Sequence, residues 1–582
     1  MINSNNEYLI TMEKKAIPRM SYTCGTAEFP LLGQTIGELL NEICDKYPDN
    51  EAIVSPFQDI RLTYRQFREE VDKVARGLMA YDINKGDRVG IWAMNYAEWI
   101  VVQFATARIG AVMVNINPAY RTFELEYCLR QAEIKLLIIQ GRFKTSDYVG
   151  MFYEACPEAY ESRPGRINSE KFPFLKSVVF LGDIPYNGMF RWDEFLKKGS
   201  CISPEELIER EDSLNFDDPI NIQYTSGTTG YPKGVVLTHH GVLNNGYIIG
   251  EGMGFTEKDR LCIPVPFYHC FGMVLSNMAS ATHGSTMVLP GPAFDAEAVL
   301  KTIEAERCTA VHGVPTMFIA ELRHPDFPKF DLRSLRTGIM AGSPCPIEVM
   351  KEVATKMHMS EIVIVYGQTE TSPGVTMTTT KDPLEKRVTT VGRVFPHTEI
   401  KIIDPETKKI IPTGEIGEIC ARGYMSLRCY YNNPSATRLT KDDQGWVHTG
   451  DLGSFDSEGY IHIEGRLKDM VIRGGENIYP REIEEFLHQH PKIADVYVIG
   501  VPDEKYGEEL MAWIKLEENE AMTEDEIRSY CTGKIARYKI PRYYAFVDEF
   551  PITVSGKIQK FKMRDMGIEM LGLQDIARIK TA

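Results

Sequence analysis

The chain has 582 residues, of which 43% are hydrophobic and 25% charged, and it carries a formal net charge of -16. This length predicts two to four domains or subdomains, with the composition of an ordinary soluble globular protein. The acidic balance argues against nucleic acid or acidic lipid as a main partner. No apolar run approaches the ~20 residues that a transmembrane helix needs.

Helical and strand-like segments alternate through the N-terminal part. Apolar spacing predicts helices at 36–47, 63–80 and 98–110, and buried runs predict strands at 88–92 and 111–115. Further strand-like runs occur at 136–140, 177–182, 284–289 and 361–366. Repeated β-α-β order implies an α/β fold with parallel sheets flanked by helices.

The pattern changes in the second half of the chain. Short strands and turns at 411–463 predict a small β-rich subdomain, and glycine-marked segments follow it. We therefore expect a large N-terminal domain at 1–465, a hinge at 466–473 and a smaller α+β C-terminal domain at 474–582. Within the last domain, we expect helices at 480–490 and 523–533 and a strand at 494–500.

The cysteines and the N-terminus bear on the cellular compartment. Twelve cysteines are scattered without a C-x-x-C pair, which fits a reduced compartment better than a disulfide framework or a zinc knuckle. The first twenty residues include Glu7 and Glu13 and lack an apolar core. Neither a secretory signal nor a clear organellar presequence is expected, and the cytoplasm is the default.

One loop carries most of the functional information. Residues 224–234 read Tyr-Thr-Ser-Gly-Thr-Thr-Gly-Tyr-Pro-Lys-Gly after a strand-like run. Glycines that turn backbone N–H groups toward a ligand, hydroxyl donors and a cation suit the oxygens of a polyphosphate. The run differs from the common G-x-x-x-x-G-K-[ST] loop, and a plain Ser/Gly turn is the alternative. The candidate ATP-binding residues are Thr225, Ser226, Gly227, Thr228, Thr229, Gly230, Tyr231, Pro232 and Lys233.

A second motif, Tyr366-Gly367-Gln368-Thr369-Glu370, follows a strand-like run. Ligands of α/β sheets bind beyond the carboxyl ends of strands. There an aromatic ring can stack on a base, a threonine can donate to a phosphate oxygen, and a glutamate can hold Mg²⁺. The alternative is a strand-end turn with a surface glutamate.

Asp451 and Arg466 are candidates for the ribose. Asp451 follows a glycine turn in Trp-Val-His-Thr-Gly-Asp, and Arg466 comes fifteen residues later. A carboxylate suits ribose hydroxyls, and a guanidinium suits ribose or phosphate oxygens. A purely structural Asp–Arg pair is the alternative.

Two single residues complete the candidates. Lys557 lies on a glycine-flanked turn, where a flexible cation could lower the barrier to joining a carboxylate to an α-phosphate. A solvated surface charge is the alternative. His269 lies among aromatic residues, either as a satisfied core histidine or as a wall between a nucleotide pocket and an acyl pocket.

Taken together, the segments resemble the AMP-forming acyl-CoA synthetases of the adenylate-forming superfamily. The match runs from about Thr35 to Arg564, and its motifs occur in the family's order: Y-T-S-G-T-T-G-Y-P-K-G, Y-G-Q-T-E, H-T-G-D, G-R-L-K-D, G-G-E-N-I-Y-P and S-G-K-I-Q-K. Stretches at 119–127, 340–344, 469–480 and 555–564 look like the medium-chain acyl-CoA synthetase family member 2 group. That group has mitochondrial animal enzymes and bacterial relatives, so a mitochondrial matrix location is implied only for an animal protein.

The resemblance implies a ligase with ATP, Mg²⁺ and CoA as cofactor and substrates. A carboxylate would attack the α-phosphate to give acyl-AMP and pyrophosphate, and the CoA thiol would then displace AMP. Residues 225–233 would hold the β- and γ-phosphates, and Lys557 would bridge carboxylate and α-phosphate. Thr369 and Glu370 would serve the α-phosphate and Mg²⁺, and Asp451 and Arg466 would hold the ribose. The positions implied beside adenine are Gly342, Ser343, Pro344 and Tyr366, and Gly367 and Gln368, which directly follow Tyr366, are further ATP-binding candidates.

The resemblance also implies a moving domain and an acyl pocket. Lys468 would be the hinge of a mobile C-terminal domain, whose swing would bring Gly474 and Gly475 beside the pantetheine of CoA. The acyl wall would include His269, Val314, Pro315 and Met340. Medium-chain, short-chain, cyclic and aromatic acids stay open, as do a monomer and a homodimer. The rival functions are a luciferase-like oxidation, loading of a carrier protein and an inactive nucleotide-binding protein.

Overall fold

A computed structural model describes residues 19–225, 232–343, 345–473, 476–535, 537–553 and 558–577. Capping explains where predicted helices begin: the Thr63 hydroxyl accepts a hydrogen bond from the Gln66 N–H at 3.3 Å, and Thr523 caps its helix in the same way. The α-helices of the N-terminal part are Ile36–Lys46, Tyr64–Ala80, Ala97–Arg108, Thr122–Gln131, Tyr148–Ala155, Glu158–Glu161, Trp192–Gly199, Pro204–Asp212, His239–Gly252, Ala279–His283, Ala296–Glu306, Pro315–Leu322, Ile347–Lys356, Leu384–Thr389 and Pro434–Thr440.

Two large mixed sheets form the centre of this part. The first has the strand order Phe190–Arg191, Ser177–Phe180, Ile134–Ile139, Arg88–Trp92, Val112–Asn115, Pro219–Thr225, Lys233–Thr238 and Cys429–Tyr430. Its strands are parallel up to Pro219–Thr225, and the last two join antiparallel. The second has the order Arg393–Val394, Gly374–Met377, Glu361–Gly367, Thr337–Met340, Ala310–Val311, Arg260–Cys262, Thr286–Val288, Glu51–Ser55 and Ile60–Thr63.

The helix Ala97–Arg108 shows how the two sheets pack. It is buried nearly all round, with Trp99 and Phe104 fully buried in a core cluster that contains residues of both sheets. A helix that is apolar on every side must be covered on every side. The π-helix Phe271–Met278 contributes to the same core.

A smaller antiparallel sheet follows, with strands Tyr22–Cys24, Thr398–Ile403, Gly417–Gly423, Val447–Phe455 and Ile461–Arg466. Three of its strands lie in or next to 411–463, where the sequence predicted a small β-rich subdomain. Its edge strand, Tyr22–Cys24, comes from the start of the described residues and pairs with Thr398–Ile403. Local sequence pattern does not reveal a pairing between segments so far apart. A short hairpin, Arg142–Phe143 with Ser146–Asp147, lies elsewhere in the N-terminal part.

The C-terminal sheet has the order Glu476–Ile478, Val471–Arg473, Gly507–Leu516 and Ile493–Asp503, and Tyr543–Phe546 pairs parallel with Gly507–Leu516. The helices of the C-terminal part are Pro480–His488, Glu524–Cys531, Lys560–Met570 and Gln574–Ala577. The 3₁₀ turns of the described residues are Pro56–Gln58, Phe327–Lys329, Thr369–Thr371, Leu467–Asp469 and Arg537–Lys539. The predicted fold class is confirmed, while the exact domain limits stay predictions. Among the described helices, none is long and apolar enough to cross a membrane.

Candidate active site

Three predicted residues meet beyond the carboxyl end of the strand Glu361–Gly367. The Tyr366 hydroxyl donates a hydrogen bond to Asp451 Oδ2 at 2.9 Å, and Arg466 Nε lies 3.2 Å from Asp451 Oδ1. Asp451 and Arg466 are direct partners in the antiparallel register of their two strands. The small sheet therefore brings two residues that are distant in sequence from Tyr366 to the end of the second large sheet.

The electrostatics of this cluster follow from its burial. Asp451 is only 7% exposed, and burial raises the pKa of its carboxyl, while Arg466 and the Tyr366 hydroxyl oppose that rise. Burial also raises the pKa of Tyr366, so its hydroxyl stays protonated and donates. A carboxylate has about four lone-pair directions. Two are used by Tyr366 and Arg466, which leaves room for further donors such as sugar hydroxyls.

Glu370 lies one short turn further along the chain, in Thr369–Thr371. Its Oε1 accepts a hydrogen bond from the Tyr430 hydroxyl at 2.6 Å, and its backbone carbonyl accepts one from the Leu427 N–H at 2.8 Å. The charge of Glu370 is close enough to raise the pKa of Asp451. Thr369 is buried, with its hydroxyl oxygen 3.7 Å from Cys270 Sγ. Phosphate-side and ribose-side candidates are thus contiguous.

The two ends of the phosphate loop lie on a hairpin of the first large sheet. Thr225 and Lys233 are cross-strand partners there, and Lys233 Nζ lies 5.0 Å from the centre of the Tyr430 ring. The Tyr127 hydroxyl donates to the Pro232 carbonyl at 3.0 Å. The remaining loop candidates, Ser226, Gly227, Thr228, Thr229, Gly230 and Tyr231, lie outside the described residues.

The turn expected beside adenine follows the strand Thr337–Met340. Gly342 has φ +92°, a backbone conformation that favours glycine over every other residue. The carbonyl of Ser343 accepts a weak hydrogen bond from the Cys345 thiol at 3.5 Å. Pro344 lies outside the described residues.

Residues 40–431 match the AMP-binding enzyme family, and residues 482–557 match the AMP-binding enzyme C-terminal domain. The chain belongs to the AMP-binding enzyme family. It is 52% identical to YngI of Bacillus subtilis, which carries an acyl-CoA synthetase name, over 93% of this chain and 99% of YngI. It is 45% identical to the mitochondrial medium-chain acyl-CoA ligase ACSF2 of Danio rerio, over 95% of this chain and 91% of the relative.

A solved structure extends the comparison. The anthranilate CoA ligase AuaEII, in complex with anthranoyl-AMP, matches with a TM-score of 0.79 and 27% identity, over 93% of this chain and 98% of that one. The resemblance to the acyl-CoA synthetases is confirmed. The protein is accordingly a ligase of this AMP-binding family.

Within this AMP-binding enzyme, His269 precedes the π-helix Phe271–Met278. Its Nδ1 accepts a hydrogen bond from the Phe271 N–H at 3.1 Å, so a neutral ring carries its proton on Nε2. The neighbouring Cys270 lies against Thr369. His269 is therefore placed close to the phosphate-side turn, as a wall residue would be, and its role stays a prediction.

The other acyl-wall candidates divide between two cores. Val314 caps the helix Pro315–Leu322, which begins at Pro315, and it belongs to the core between the large sheets. Met340 is fully buried in a different cluster behind the second sheet. Its sequence neighbours Ile339, in the strand, and Ala341, just after it, share the cluster of Val314 instead, because successive side chains of extended backbone point to opposite sides.

The hinge candidate lies between two sheets. Lys468 is in the turn Leu467–Asp469, between Ile461–Arg466 of the small sheet and Val471–Arg473 of the C-terminal sheet. Lys557, Gly474 and Gly475 lie outside the described residues.

Sequence reasoning missed Tyr430, which contacts both Glu370 and Lys233. It lies in Cys-Tyr-Tyr-Asn-Asn-Pro, where nothing local signals a partner 60 positions away.

Proposed function

We propose that this enzyme activates a carboxylic acid, foremost a medium-chain fatty acid, with ATP and transfers the acyl group to CoA. The observation that carries the proposal is the strand end at which Tyr366, Asp451 and Arg466 join directly and Glu370 follows within one turn. A ribose-binding group beside a phosphate-binding group is the layout that a nucleotide requires. The chain length of the acid is taken from the name of the ACSF2 relatives.

In the first step, a carboxylate oxygen attacks the α-phosphorus and the bond to pyrophosphate breaks, which gives acyl-AMP. The loop 225–233 holds the leaving pyrophosphate, and Thr369 binds an α-phosphate oxygen. Lys557 places its cation between the two anions, because their repulsion is the main electrostatic barrier to attack.

Glu370 is suited to the cation that accompanies ATP. A half-buried carboxylate with one oxygen held by Tyr430 offers the hard oxygen ligand that Mg²⁺ prefers. When bound, Mg²⁺ neutralises charge on the phosphate oxygens.

In the second step, the CoA sulfur attacks the acyl carbonyl carbon and the bond to AMP breaks, which gives the thioester. The face that held Lys557 must then be open to a thiol. We infer that the C-terminal domain turns about Lys468, withdraws Lys557 and brings Gly474 and Gly475 beside the pantetheine. One mobile domain can thereby serve both steps in turn, as lids and domains commonly do.

The acid is bound between the π-helix and the second large sheet, with His269, Val314 and Pro315 on its wall. Apolar pockets discriminate weakly, by about 1–3 kcal/mol per methylene. An aromatic acid is the second candidate, because the anthranilate ligase AuaEII shares the fold over nearly the whole chain. We place the reaction in the cytoplasm, or in the mitochondrial matrix for an animal protein.

A substrate screen tests the proposal. Pyrophosphate release and thioester formation are measured with Mg-ATP, with and without CoA, across straight-chain acids from acetate to palmitate, cyclic acids and aryl acids. We expect CoA-dependent release with a maximum among medium-chain acids. A maximum among aryl acids would show that the proposed medium-chain substrate is wrong. If acyl-AMP forms but is converted to product only with a carrier protein, the proposed acceptor, CoA, is wrong.

A further inference from the structure

Tyr430 is anchored between the strand Lys233–Thr238, which follows the phosphate loop, and the helix Pro434–Thr440. Its strand pairs antiparallel with the strand after the loop, where Tyr430 lies opposite Val235, and its backbone N–H donates to Thr437 Oγ1 at 2.9 Å. The side chain is 3% exposed. The ring therefore has a fixed position. Its hydroxyl accepts a longer hydrogen bond of 3.4 Å from the Thr440 hydroxyl, and its other two side-chain contacts are with Glu370 and Lys233, both candidates for the nucleotide site.

The first contact holds one oxygen of a carboxylate. The Tyr430 hydroxyl donates to Glu370 Oε1 at 2.6 Å, a short bond typical of a hydroxyl and an ionised carboxylate. Burial of the ring, together with the Glu370 charge, raises the pKa of Tyr430, so the hydroxyl stays a donor. Within the described part of the chain, no hydrogen bond reaches Glu370 Oε2. That oxygen keeps its lone pairs for a ligand.

The second contact holds a cation. Lys233 Nζ lies 5.0 Å from the centre of the Tyr430 ring, within the range of a cation–π interaction. Although Lys233 and Glu370 both contact Tyr430, they form no ion pair within the described residues. A direct ion pair would neutralise both groups. Tyr430 instead keeps the ammonium available for phosphate oxygens and the carboxylate available for a metal ion.

We propose that Tyr430 is a positioning residue of the nucleotide site, which fixes Glu370 Oε1 so that Oε2 faces Mg²⁺ and keeps Lys233 apart from Glu370. The proposal rests on the proposed function, because it assigns Glu370 to the metal ion that accompanies ATP. Tyr430 acts through Glu370 and Lys233 and need not touch the reacting atoms.

Tyr430→Phe removes the hydroxyl and keeps the ring. Binding of Mn²⁺ in the presence of ATP is measured by electron paramagnetic resonance, and the Mg²⁺ dependence of acyl-AMP formation is measured beside it. We expect metal affinity to fall about tenfold, since a hydrogen bond to a charged group is lost. Turnover at saturating Mg²⁺ should stay within about twofold of the wild type. Unchanged Mn²⁺ affinity would overturn the proposal.

A matched control lies one position away. The Tyr431 hydroxyl donates to Glu133 Oε2 at 2.8 Å, outside the site, so Tyr431→Phe loses a similar bond and should leave Mn²⁺ binding unchanged. In a Glu370→Gln background, Tyr430→Phe should weaken metal binding no further, because its effect passes through that carboxylate. An additional loss in that background would contradict the proposed route.

The same measurements separate the two proposals. Mn²⁺ binding needs no acid, so the ratio between Tyr430→Phe and the wild type tests the positioning role even if no acid is activated. A wild-type enzyme that binds Mn²⁺ with ATP but forms no acyl-AMP with any acid would instead refute the proposed function.

Discussion

Asp451→Asn tests whether the Asp451–Arg466 pair binds a nucleotide or only stabilises the fold. The substitution keeps the size of a side chain that is 7% exposed, so it leaves no cavity. It removes the negative charge that Arg466 faces at 3.2 Å and that the Tyr366 hydroxyl contacts at 2.9 Å. If ribose hydroxyls donate to this carboxylate, the same change weakens their bonds.

The magnitude follows from the kind of bond. Hydrogen bonds to charged groups contribute about 1.5–3 kcal/mol, and neutral ones about 1 kcal/mol. Two ribose hydroxyls would each lose about 1 kcal/mol, or about 2 kcal/mol together, which corresponds to an affinity about 30-fold lower. The KM for ATP should rise by about that factor, with a smaller change in kcat, because the ribose is bound in the ground state as well as in the transition state.

The decisive assay compares ATP with 2′-deoxy-ATP and 3′-deoxy-ATP in both proteins. The wild type should prefer ATP over at least one analogue, and Asp451→Asn should lose much of that preference. Asp456→Asn is the control, because Asp456 is a partly buried carboxylate paired with Lys386 at 2.7 Å elsewhere in the same part of the chain. A destabilised Asp451→Asn enzyme that discriminates the analogues as the wild type does would refute the ribose assignment.

Three further predictions concern other parts of the molecule. Lys557→Ala should nearly abolish acyl-AMP formation yet spare thioester formation from supplied acyl-AMP, and equal loss of both half-reactions would contradict its role. Ala341→Leu should narrow the proposed acyl pocket, because Ala341 shares the core cluster of Val314, and should therefore shift the kcat/KM profile toward shorter acids. Met340→Leu, in the other core cluster, should leave the profile unchanged. The Glu418 carboxylate raises the pKa of His448 above its ordinary value of about 6.5. The ion pair between them therefore stabilises the fold fully below about pH 6.5, and this stabilisation is lost as the pH rises through the raised pKa of His448. Unfolding midpoints should therefore show His448→Gln to be more destabilising at pH 6 than at pH 9, and equal losses at both would count against the ion pair.

The sequence predicted the location of those candidate residues whose position follows from a strand end. Tyr366 closes a strand, and Thr225 and Lys233 flank a loop between paired strands, so local pattern is enough to place each one at the edge of a sheet. The contact between Tyr366 and Asp451 was not predicted, because 85 positions separate them; the resemblance only implied that one lies beside adenine and the other at the ribose. Contacts at that separation depend on how sheets pack.

The acyl wall shows a different limit. Ile339, Met340 and Ala341 are adjacent in sequence, and the stretch 340–344 that carries part of the resemblance begins at Met340. Which of them faces Val314 depends on the alternation of side chains, and a shift of one residue reverses the answer. Ile339 and Ala341 lie in the same core cluster as Val314, whereas Met340 lies in the other, and the acyl wall itself stays a prediction.

The origin of each group explains why the proposed nucleotide site would need all three sheets of the N-terminal part. Lys233 comes from the first large sheet, Glu370 follows a strand of the second, and Asp451 belongs to the small sheet. In the proposed function each sheet would contribute a part that is ineffective alone: a cation, a carboxylate for a metal ion, and a carboxylate for a sugar. Tyr430 contacts the first two, and Tyr366, on the strand that leads to Glu370, contacts Asp451, so the two tyrosines would fix the spacing between the proposed phosphate and ribose positions. Because these groups all precede the turn Leu467–Asp469, the proposed movement of the C-terminal domain would leave them in place while Lys557 served the first step and withdrew for the second.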